Sequence, residues 1–105
     1  MDKNAAIDIV RRFRKAIEAR NIVVNRIVLF GSYAFGNQRE GSDIDVAVIS
    51  DDFRDKGYWD RIDILSYAIY EVFEPIEAIA LTTDEWERGD RAIIEFAKSG
   101  EVIDI

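Results

Sequence analysis

The sequence of 105 residues contains no cysteine and no histidine, and its only proline is Pro75. These absences exclude disulfides, thiolate chemistry, the usual structural zinc sites and every Ser-His or Cys-His mechanism. Apolar runs are only a few residues long, far short of the roughly 20 that cross a bilayer. The charged amino-terminal segment does not have the pattern of a signal peptide. We therefore expect a cytoplasmic protein without membrane association, in which any catalysis uses carboxylates, hydroxyls, backbone amides and a metal ion.

Positive charge is also scarce, with 14 Lys and Arg against 21 Asp and Glu and a net charge of −7. A domain that binds the nucleic-acid backbone normally presents a basic face, so we expect no direct nucleic-acid binding. The acidic balance favours cationic partners, either metal ions or a basic protein surface. The length fits a single domain over residues 1–105, and an apolar fraction of 49% is enough for a packed core.

Hydrophobic periodicity predicts alternating helices and strands. Helices are expected over about residues 3–20 and 58–73, and strands over 22–30, 44–50 and 76–81, with a polar loop at 50–57. A capping-box sequence at 82–85 predicts a short helix, followed by a last helix that ends near Gly100 and a short terminal strand at 102–103. The order α-β-β-α-β-α predicts an α+β fold, a mixed sheet with helices packed on it.

Two acid-x-acid pairs occur, Asp43/Asp45 and Glu85/Glu87. The second pair falls on a predicted surface helix and is expected to be solvated. The first opens an apolar strand, where residues i and i+2 project from one face about 6.6 Å apart. Like charges so placed repel each other and lose hydration, and two divalent ions would neutralise them. The spacing alone is equally compatible with two solvated aspartates.

The Gly31-Ser32 pair follows a predicted strand and begins a short helical turn before Gly36. Glycine lets the backbone approach a ligand closely, and the start of a helix presents free N–H groups. A phosphate is the natural ligand, with the Ser32 hydroxyl as a further donor. Taken by itself, the pair is also typical of a tight turn with a serine cap.

Glu77 is the only acid in the strand sequence IEAIAL. On an edge strand a single acid needs no explanation. If this strand pairs beside Asp43 and Asp45, the Glu77 carboxylate completes a cluster of three acids. Carboxylate oxygens, supplemented by water and substrate phosphates, are the ligands that Mg²⁺ prefers.

Together these residues resemble a known signature. Gly31-Ser32, ten further residues, Asp43-Ile44-Asp45 and an acid on a later strand are similar to the motif of nucleotidyltransferases in the DNA polymerase β superfamily. At this length the chain most resembles the minimal nucleotidyltransferases, or MNT proteins, which include the antitoxins paired with HEPN toxins. The resemblance covers most of the chain, from the first strand to about residue 100.

The resemblance implies a role for each matching residue. Gly31 and Ser32 would hold the triphosphate of an incoming nucleotide. Asp43 and Asp45 would ligate two Mg²⁺ ions, and Glu77 would take the third carboxylate position. The implied reaction transfers a nucleotidyl group, AMP from ATP or the equivalent from another NTP, to a hydroxyl acceptor with loss of pyrophosphate.

The resemblance also implies a protein partner. Larger members of the superfamily add a second domain that binds the acceptor, so this short chain is expected to use an open face or a second protein. A HEPN-like helical toxin is the most concrete acceptor, which would make this protein an antitoxin. A homo-oligomer is compatible with the same argument.

Two departures from the family pattern keep other interpretations open. Many relatives have an arginine in the turn where this chain has Tyr33-Ala34-Phe35, although Arg39 follows in the next loop. The third acid is typically aspartate, whereas Glu77 is one methylene longer. One alternative is a non-catalytic or weakly catalytic MNT subunit that acts by binding a helical protein. Another is a regulatory domain that binds a nucleotide without turnover.

The large aromatic residues complete the sequence predictions. Trp59, Phe73 and Phe96 recur at helical spacing with other apolar residues and are expected in the core. Trp86 lies between Glu85 and Glu87, which favours an exposed position and hints at a partner surface.

Overall fold

A computed structural model describes residues 1–103. The helices are α1 (Lys3–Glu18), α2 (Ser32–Phe35), α3 (Tyr58–Val72), α4 (Thr83–Arg88) and α5 (Ala92–Lys98), with a one-turn 3₁₀ helix at Asp51–Phe53. The strands are β1 (Arg26–Phe30), β2 (Ile44–Ile49), β3 (Ile76–Leu81) and β4 (Glu101–Ile103). The predicted α+β class and the predicted order of the main elements are confirmed.

The four strands form one mixed sheet in the order β3-β2-β1-β4. β1 runs antiparallel to both β2 and β4, whereas β2 and β3 run parallel. A parallel pair needs a crossover connection, and the segment containing α3 supplies it. The register places Phe30 opposite Asp45 on one side of β2 and Glu77 opposite Asp45 on the other.

The sheet separates two hydrophobic clusters, because alternate residues of each strand face opposite sides. One face packs against α1 and α3 and includes Ile27, Leu29, Ile44, Val46 and Val48. The other packs against α4 and α5 and includes Val28, Phe30, Ala47, Ile49 and Leu81. The strands are therefore too apolar to show a solvated face, as expected for strands covered on both sides.

The first strand is shorter than predicted, since the ladder begins at Arg26 and not at residue 22. Ile22 and Val24 are still buried, which explains why the run reads as a strand. The intervening Val23 is held outside the ladder, because its N–H donates to the Asp52 carboxylate at 2.7 Å and its carbonyl accepts from the Ser50 hydroxyl. The 50–57 loop likewise contains a fully buried residue, Phe53.

The predictions for the large aromatic residues were wrong. Trp59, Phe73 and Phe96 are 72%, 83% and 48% exposed, whereas Trp86 is only 8% exposed. Trp86 belongs to the cluster under α4 and α5, and the Lys98 ammonium lies 5.7 Å from its ring centroid. Glu85 and Glu87, which flank Trp86 in the sequence, lie on other sides of this six-residue helix than the buried ring.

In residues 1–103, no helix is both long enough and apolar enough to cross a membrane.

The capping box at the start of α4 is confirmed in both of its hydrogen bonds. The Thr82 hydroxyl accepts from the Glu85 N–H, and the Glu85 carboxylate accepts from the Thr82 N–H at 2.7 Å. Burial of the Glu85 carboxyl opposes ionisation, but the Thr82 N–H and the adjacent Arg61 guanidinium outweigh it and lower the pKa of Glu85. Glu85 is thus a structural acid, in contrast to the solvated one predicted.

This cap predicts the effect of a single substitution. Thr82→Ala removes the hydroxyl acceptor and should lower the free energy of unfolding by about 1 kcal/mol. Thr82→Ser keeps the acceptor and should lose less. Urea unfolding at neutral pH measures both variants, and an alanine variant as stable as the original chain would contradict the assignment.

Candidate active site

The three predicted acids lie on one face of the sheet. Asp45 and Glu77 are directly paired across the parallel strands β2 and β3, so their side chains project in the same direction. Asp43 lies immediately before β2, two residues from Asp45, and is close enough to contribute to the raised pKa of Asp45. The face is the one that α4 and α5 cover further along the strands, where Ala47 and Leu81 are buried. Towards the start of β2 and β3 this cover is incomplete, and Glu77 is exposed.

The local sequence explains why the aspartates lie on this face of the sheet. Ile44, Val46 and Val48 occupy the alternate positions of β2 and are completely buried against α1 and α3. Their burial fixes the strand's orientation, because a slip of one residue would bring Asp45 into that core. The apolar residues of one face therefore hold the aspartates on the other.

The charges of the acids are not compensated by basic groups. Burial, which contributes most, and the neighbouring carboxylates of Glu77 and Asp43 together raise the pKa of Asp45 from its ordinary 3.8 to about 6. Among the described residues, no lysine or arginine forms a hydrogen bond or ion pair with any of the three. This is a site where a cation would be stabilised.

Gly31 connects β1 to α2 in a conformation that other residues rarely adopt. Its φ is 74° and its ψ is −153°, a region that is essentially restricted to glycine. A Cβ at this position would also overlap the Asp45 carboxylate. Gly31 is therefore required both by its backbone and by the side chain beside it, and it brings the turn into contact with Asp45.

Ser32 is the first residue of α2, as predicted for the helical turn. The first N–H groups of a helix have no partner within it. In the described part of the chain the Ser32 hydroxyl also forms no hydrogen bond. Polar donors are thus available one residue after the glycine that contacts Asp45.

Arg39 lies in the loop that follows α2 and not in the turn itself. It is exposed in the loop between α2 and β2, where its N–H donates to the Ser42 hydroxyl at 2.9 Å. It lines a cavity of about 510 Å³ together with Tyr33, Gln38, Ser42 and Pro75. Its guanidinium forms no ion pair with another described residue.

The carboxylates share a face, but they do not surround a common point. Among residues 1–103, no three acidic side chains converge closely enough to hold a single metal ion as they stand. The donor set nevertheless suits Mg²⁺, since it consists of carboxylates. Burial, together with the charges of Glu77 and Asp43, already raises the pKa of Asp45. Rotation of side chains on an exposed face is the change that coordination would require.

Three phenylalanines beside the site were not predicted to belong together. Phe96 of α5 meets Phe30 edge to face at 5.7 Å between ring centroids, and Phe35 of α2 stacks on Phe96 at 6.5 Å. Phe30 is the residue opposite Asp45. Phe30 and Phe35 bracket Gly31 in the sequence, but only the packing of α5 on β1 brings Phe96 to them.

Comparisons with known proteins agree with this geometry. Residues 10–101 match the family model described as "Nucleotidyltransferase domain". The crystal structure of a candidate nucleotidyltransferase from Sulfolobus solfataricus is similar with a TM-score of 0.67 at 20% identity, over 82% of this chain and 75% of that one. Another structure, also described as a candidate nucleotidyltransferase, gives a TM-score of 0.57 at 27% identity, over 92% of this chain and 95% of that one. No curated protein matches the chain.

The chain belongs to the nucleotidyltransferase domain family, and its sheet has the polymerase β-like nucleotidyltransferase fold. Its general function is therefore that of a nucleotidyltransferase, a member of the transferases.

The geometry of Gly31 predicts a graded effect of two alanine substitutions. Gly36 also has a positive φ of 76°, but a Cβ there would meet nothing within 4 Å. Gly36→Ala should therefore cost only the backbone strain, about 1–2 kcal/mol. Gly31→Ala adds the overlap with Asp45 to a strain of about 1–3 kcal/mol. Urea unfolding should rank Gly31→Ala as the less stable variant, and the opposite order would contradict the contact.

The raised pKa of Asp45 predicts how stability depends on pH in buffer with a chelator. Because the folded state binds this proton more tightly than the unfolded chain, the contribution of Asp45 is favourable at low pH and is lost as pH rises from about 4 to 6. The full shift corresponds to about 3 kcal/mol, and partial solvation should reduce it to on the order of 1 kcal/mol.

Asp45→Asn mimics the protonated side chain and should therefore be stabilising at pH 7 but nearly neutral at pH 4. Unfolding free energies at the two pH values measure this difference. The control is Glu87→Gln, which changes an exposed acid on α4. An Asp45→Asn effect that does not change with pH would show that the carboxylates do not interact as described.

Proposed function

We propose that this protein transfers a nucleotidyl group, AMP from ATP in the simplest case, to a hydroxyl group of an acceptor. The observation that carries the proposal is the alignment of Asp45 with Glu77 on adjacent strands, next to a glycine turn that contacts Asp45. Phosphoryl-type transfer depends mainly on positioning and on neutralising charge, which suits a site made of carboxylates and backbone donors.

In the proposed reaction the acceptor oxygen bonds to the α-phosphorus of the nucleotide, and the bond to the bridging oxygen of the β-phosphate breaks. Pyrophosphate leaves with that oxygen and its electron pair. The backbone N–H groups at the start of α2 and the Ser32 hydroxyl bind the triphosphate. The acceptor proton passes to the Glu77 carboxylate, which faces solvent at the edge of the sheet.

Asp43, Asp45 and Glu77 are the residues that would hold Mg²⁺, two ions in the family's arrangement. When bound, Mg²⁺ supplies positive charge to the triphosphate and lowers the pKa of the acceptor hydroxyl. The chain's own contribution is to keep the acids on one face while β2 remains locked in the core.

The acceptor is proposed to be a hydroxyl of a protein partner, with a HEPN-like helical toxin as the most concrete case and an antitoxin role for this chain. A second candidate function is an MNT subunit that acts by contact, with little or no catalysis. The specific observation in its favour is that the three carboxylates do not surround a common point.

Thermal unfolding with ATP and Mg²⁺ tests nucleotide binding. A ligand at about 100 times its Kd should add about 2.7 kcal/mol to the stability of the folded state. For a domain of this size, each kcal/mol raises the melting temperature by roughly 4–8 °C. The rise should disappear in Asp43→Asn/Asp45→Asn. The quantity to compare is the ligand-dependent rise, because Asp45→Asn is itself expected to change stability.

The matched control is Asp60→Asn/Asp63→Asn, which removes the same charge from α3 on the other side of the sheet. This control variant should keep the full ligand-dependent rise in melting temperature. An equal loss of that rise in both double variants would show that the effect depends only on net charge. Binding without transfer is distinguished by purifying the protein with any associated partner and measuring that partner's mass. An added nucleotidyl mass that requires Asp43 and Asp45 supports transfer, whereas an unmodified partner supports the contact function.

A further inference from the structure

Helix α3 exposes a row of large apolar side chains. Trp59, Tyr70 and Phe73 are 72%, 81% and 83% exposed. Positions 59, 62, 66, 69 or 70 and 73 are three or four residues apart and therefore lie on the same side of the helix, and only Ser66 among them is not apolar or aromatic. Ile62 and Ile69 are partly exposed within this row. We call the set Trp59, Ile62, Ile69, Tyr70 and Phe73 the α3 face.

The α3 face lies next to the side of the helix that packs against the core of the protein. Leu65 and Ala68 are buried in the core, and the partly buried Ile64, Ile69 and Val72 pack against it, so Ile69 lies at the border between this side and the α3 face. α1, by comparison, confines its buried apolar residues to one side. Part of the apolar surface of α3, chiefly Trp59, Tyr70 and Phe73, is therefore left without a covering element in residues 1–103.

Phe73 is an unfavourable residue for the fold at its position. It caps α3 in the left-handed conformation, with φ 59° and ψ 49°. Glycine or asparagine normally occupies such a cap, and a bulky side chain there is uncommon. Its ring is also the most exposed of the large apolar side chains in the described residues. Neither the backbone nor the packing within residues 1–103 explains a phenylalanine here, which points to a contact outside the described residues.

Unpaired acids accompany the α3 face. Asp60, Asp63 and Glu71 have no hydrogen-bond or ion-pair partner among the described residues. On α1, by contrast, Asp8 and Glu18 pair with arginines at 3.3 Å.

The nearby cation Arg20 does not neutralise these acids. It lies over the Tyr67 ring at 4.3 Å from the centroid and forms no ion pair. The row of acids thus remains available to cations from another molecule.

We propose that the α3 face is the docking site for a helix of a partner protein, apolar on one side and flanked by lysine or arginine. The row from Trp59 to Phe73 spans 14 helical steps, about 21 Å, which matches a partner helix of about four turns. The aromatic side chains would be the anchors, since such residues dominate the binding energy of interfaces. The lysine or arginine side chains that flank the apolar side of the partner helix would complement the charges of Asp60, Asp63 and Glu71.

A second copy of this chain is a poorer occupant. Two antiparallel α3 helices related by a two-fold axis would bring the same acidic row together from both molecules. Because no cation among the described residues pairs with that row, the like charges would repel. Charge complementarity therefore selects a basic partner over self-association.

The docking site is independent of the proposed nucleotidyl transfer. The α3 face lies on the opposite side of the sheet from Asp45, because α3 packs on the cluster of Ile44 and Val46. Asp43→Asn/Asp45→Asn should consequently keep the docking activity. An experiment that shows no nucleotide binding would therefore leave the docking proposal intact, and an experiment that shows no docking would leave the nucleotidyl-transfer proposal intact.

The test uses a synthetic peptide of leucine and lysine, about 16 residues long, with leucine at helical spacing on one side. Trp59 is the reporter, because the other tryptophan, Trp86, is buried. Its emission should shift to shorter wavelength as peptide is added.

Phe73→Asn leaves the charge unchanged and should weaken binding of the peptide at least about tenfold. The same variant should unfold at an equal or higher temperature, since asparagine suits the left-handed cap.

Controls separate docking from unspecific attraction. Val102→Asn removes an exposed apolar residue at the opposite edge of the sheet and should leave the affinity unchanged. A peptide with glutamate in place of lysine should not bind. Equal affinity of the original chain and Phe73→Asn, or binding of the glutamate peptide, would overturn the proposal. Sedimentation that shows a dimer lost in Phe73→Asn would overturn it in favour of a second copy.

Discussion

The parallel pairing of β2 with β3 is the constraint on which the candidate site depends. It sets Glu77 directly opposite Asp45 and leaves both carboxylates on the face away from α1 and α3. Burial and the neighbouring charges make ionisation of Asp45 unfavourable, so the folded chain keeps unrelieved repulsion at this point. The strand tolerates it because Ile44, Val46 and Val48 are buried on the other side.

The sequence allowed much of this arrangement to be predicted, and the physical reasons are local. Side chains two apart in a strand share a face, which relates Asp43 to Asp45 without knowledge of the fold. Gly31 before Ser32 indicated a turn in which the backbone can approach a ligand closely. The sequence did not predict that Glu77 lies beside Asp45; it predicted only that a cluster of three acids would form if their strands were neighbours. Strand order is decided by contacts between distant segments. The distances between the carboxylates depend on side-chain rotation, on which the sequence pattern has no bearing.

The aromatic residues show where periodicity is insufficient. Helical spacing indicated that Trp59 and Phe73 lie on one side of α3, which is correct, but it did not indicate which side faces the core. α3 has apolar residues on two sides, and Leu65 and Ala68 occupy the buried one. Trp86 was misjudged for a different reason: Glu87 is exposed, but Glu85 caps α4 and pairs with Arg61, so charged neighbours in the sequence did not imply an exposed ring. Burial is decided by the surface against which a helix packs.

The crossover from β2 through α3 to β3 joins the two surfaces in a single unit. Its strands carry Asp45 and Glu77, and its helix carries the row from Trp59 to Phe73. Thermodynamic reciprocity applies: if a cation between the carboxylates changes the affinity of α3 for its partner, the partner changes the affinity for that cation by the same factor.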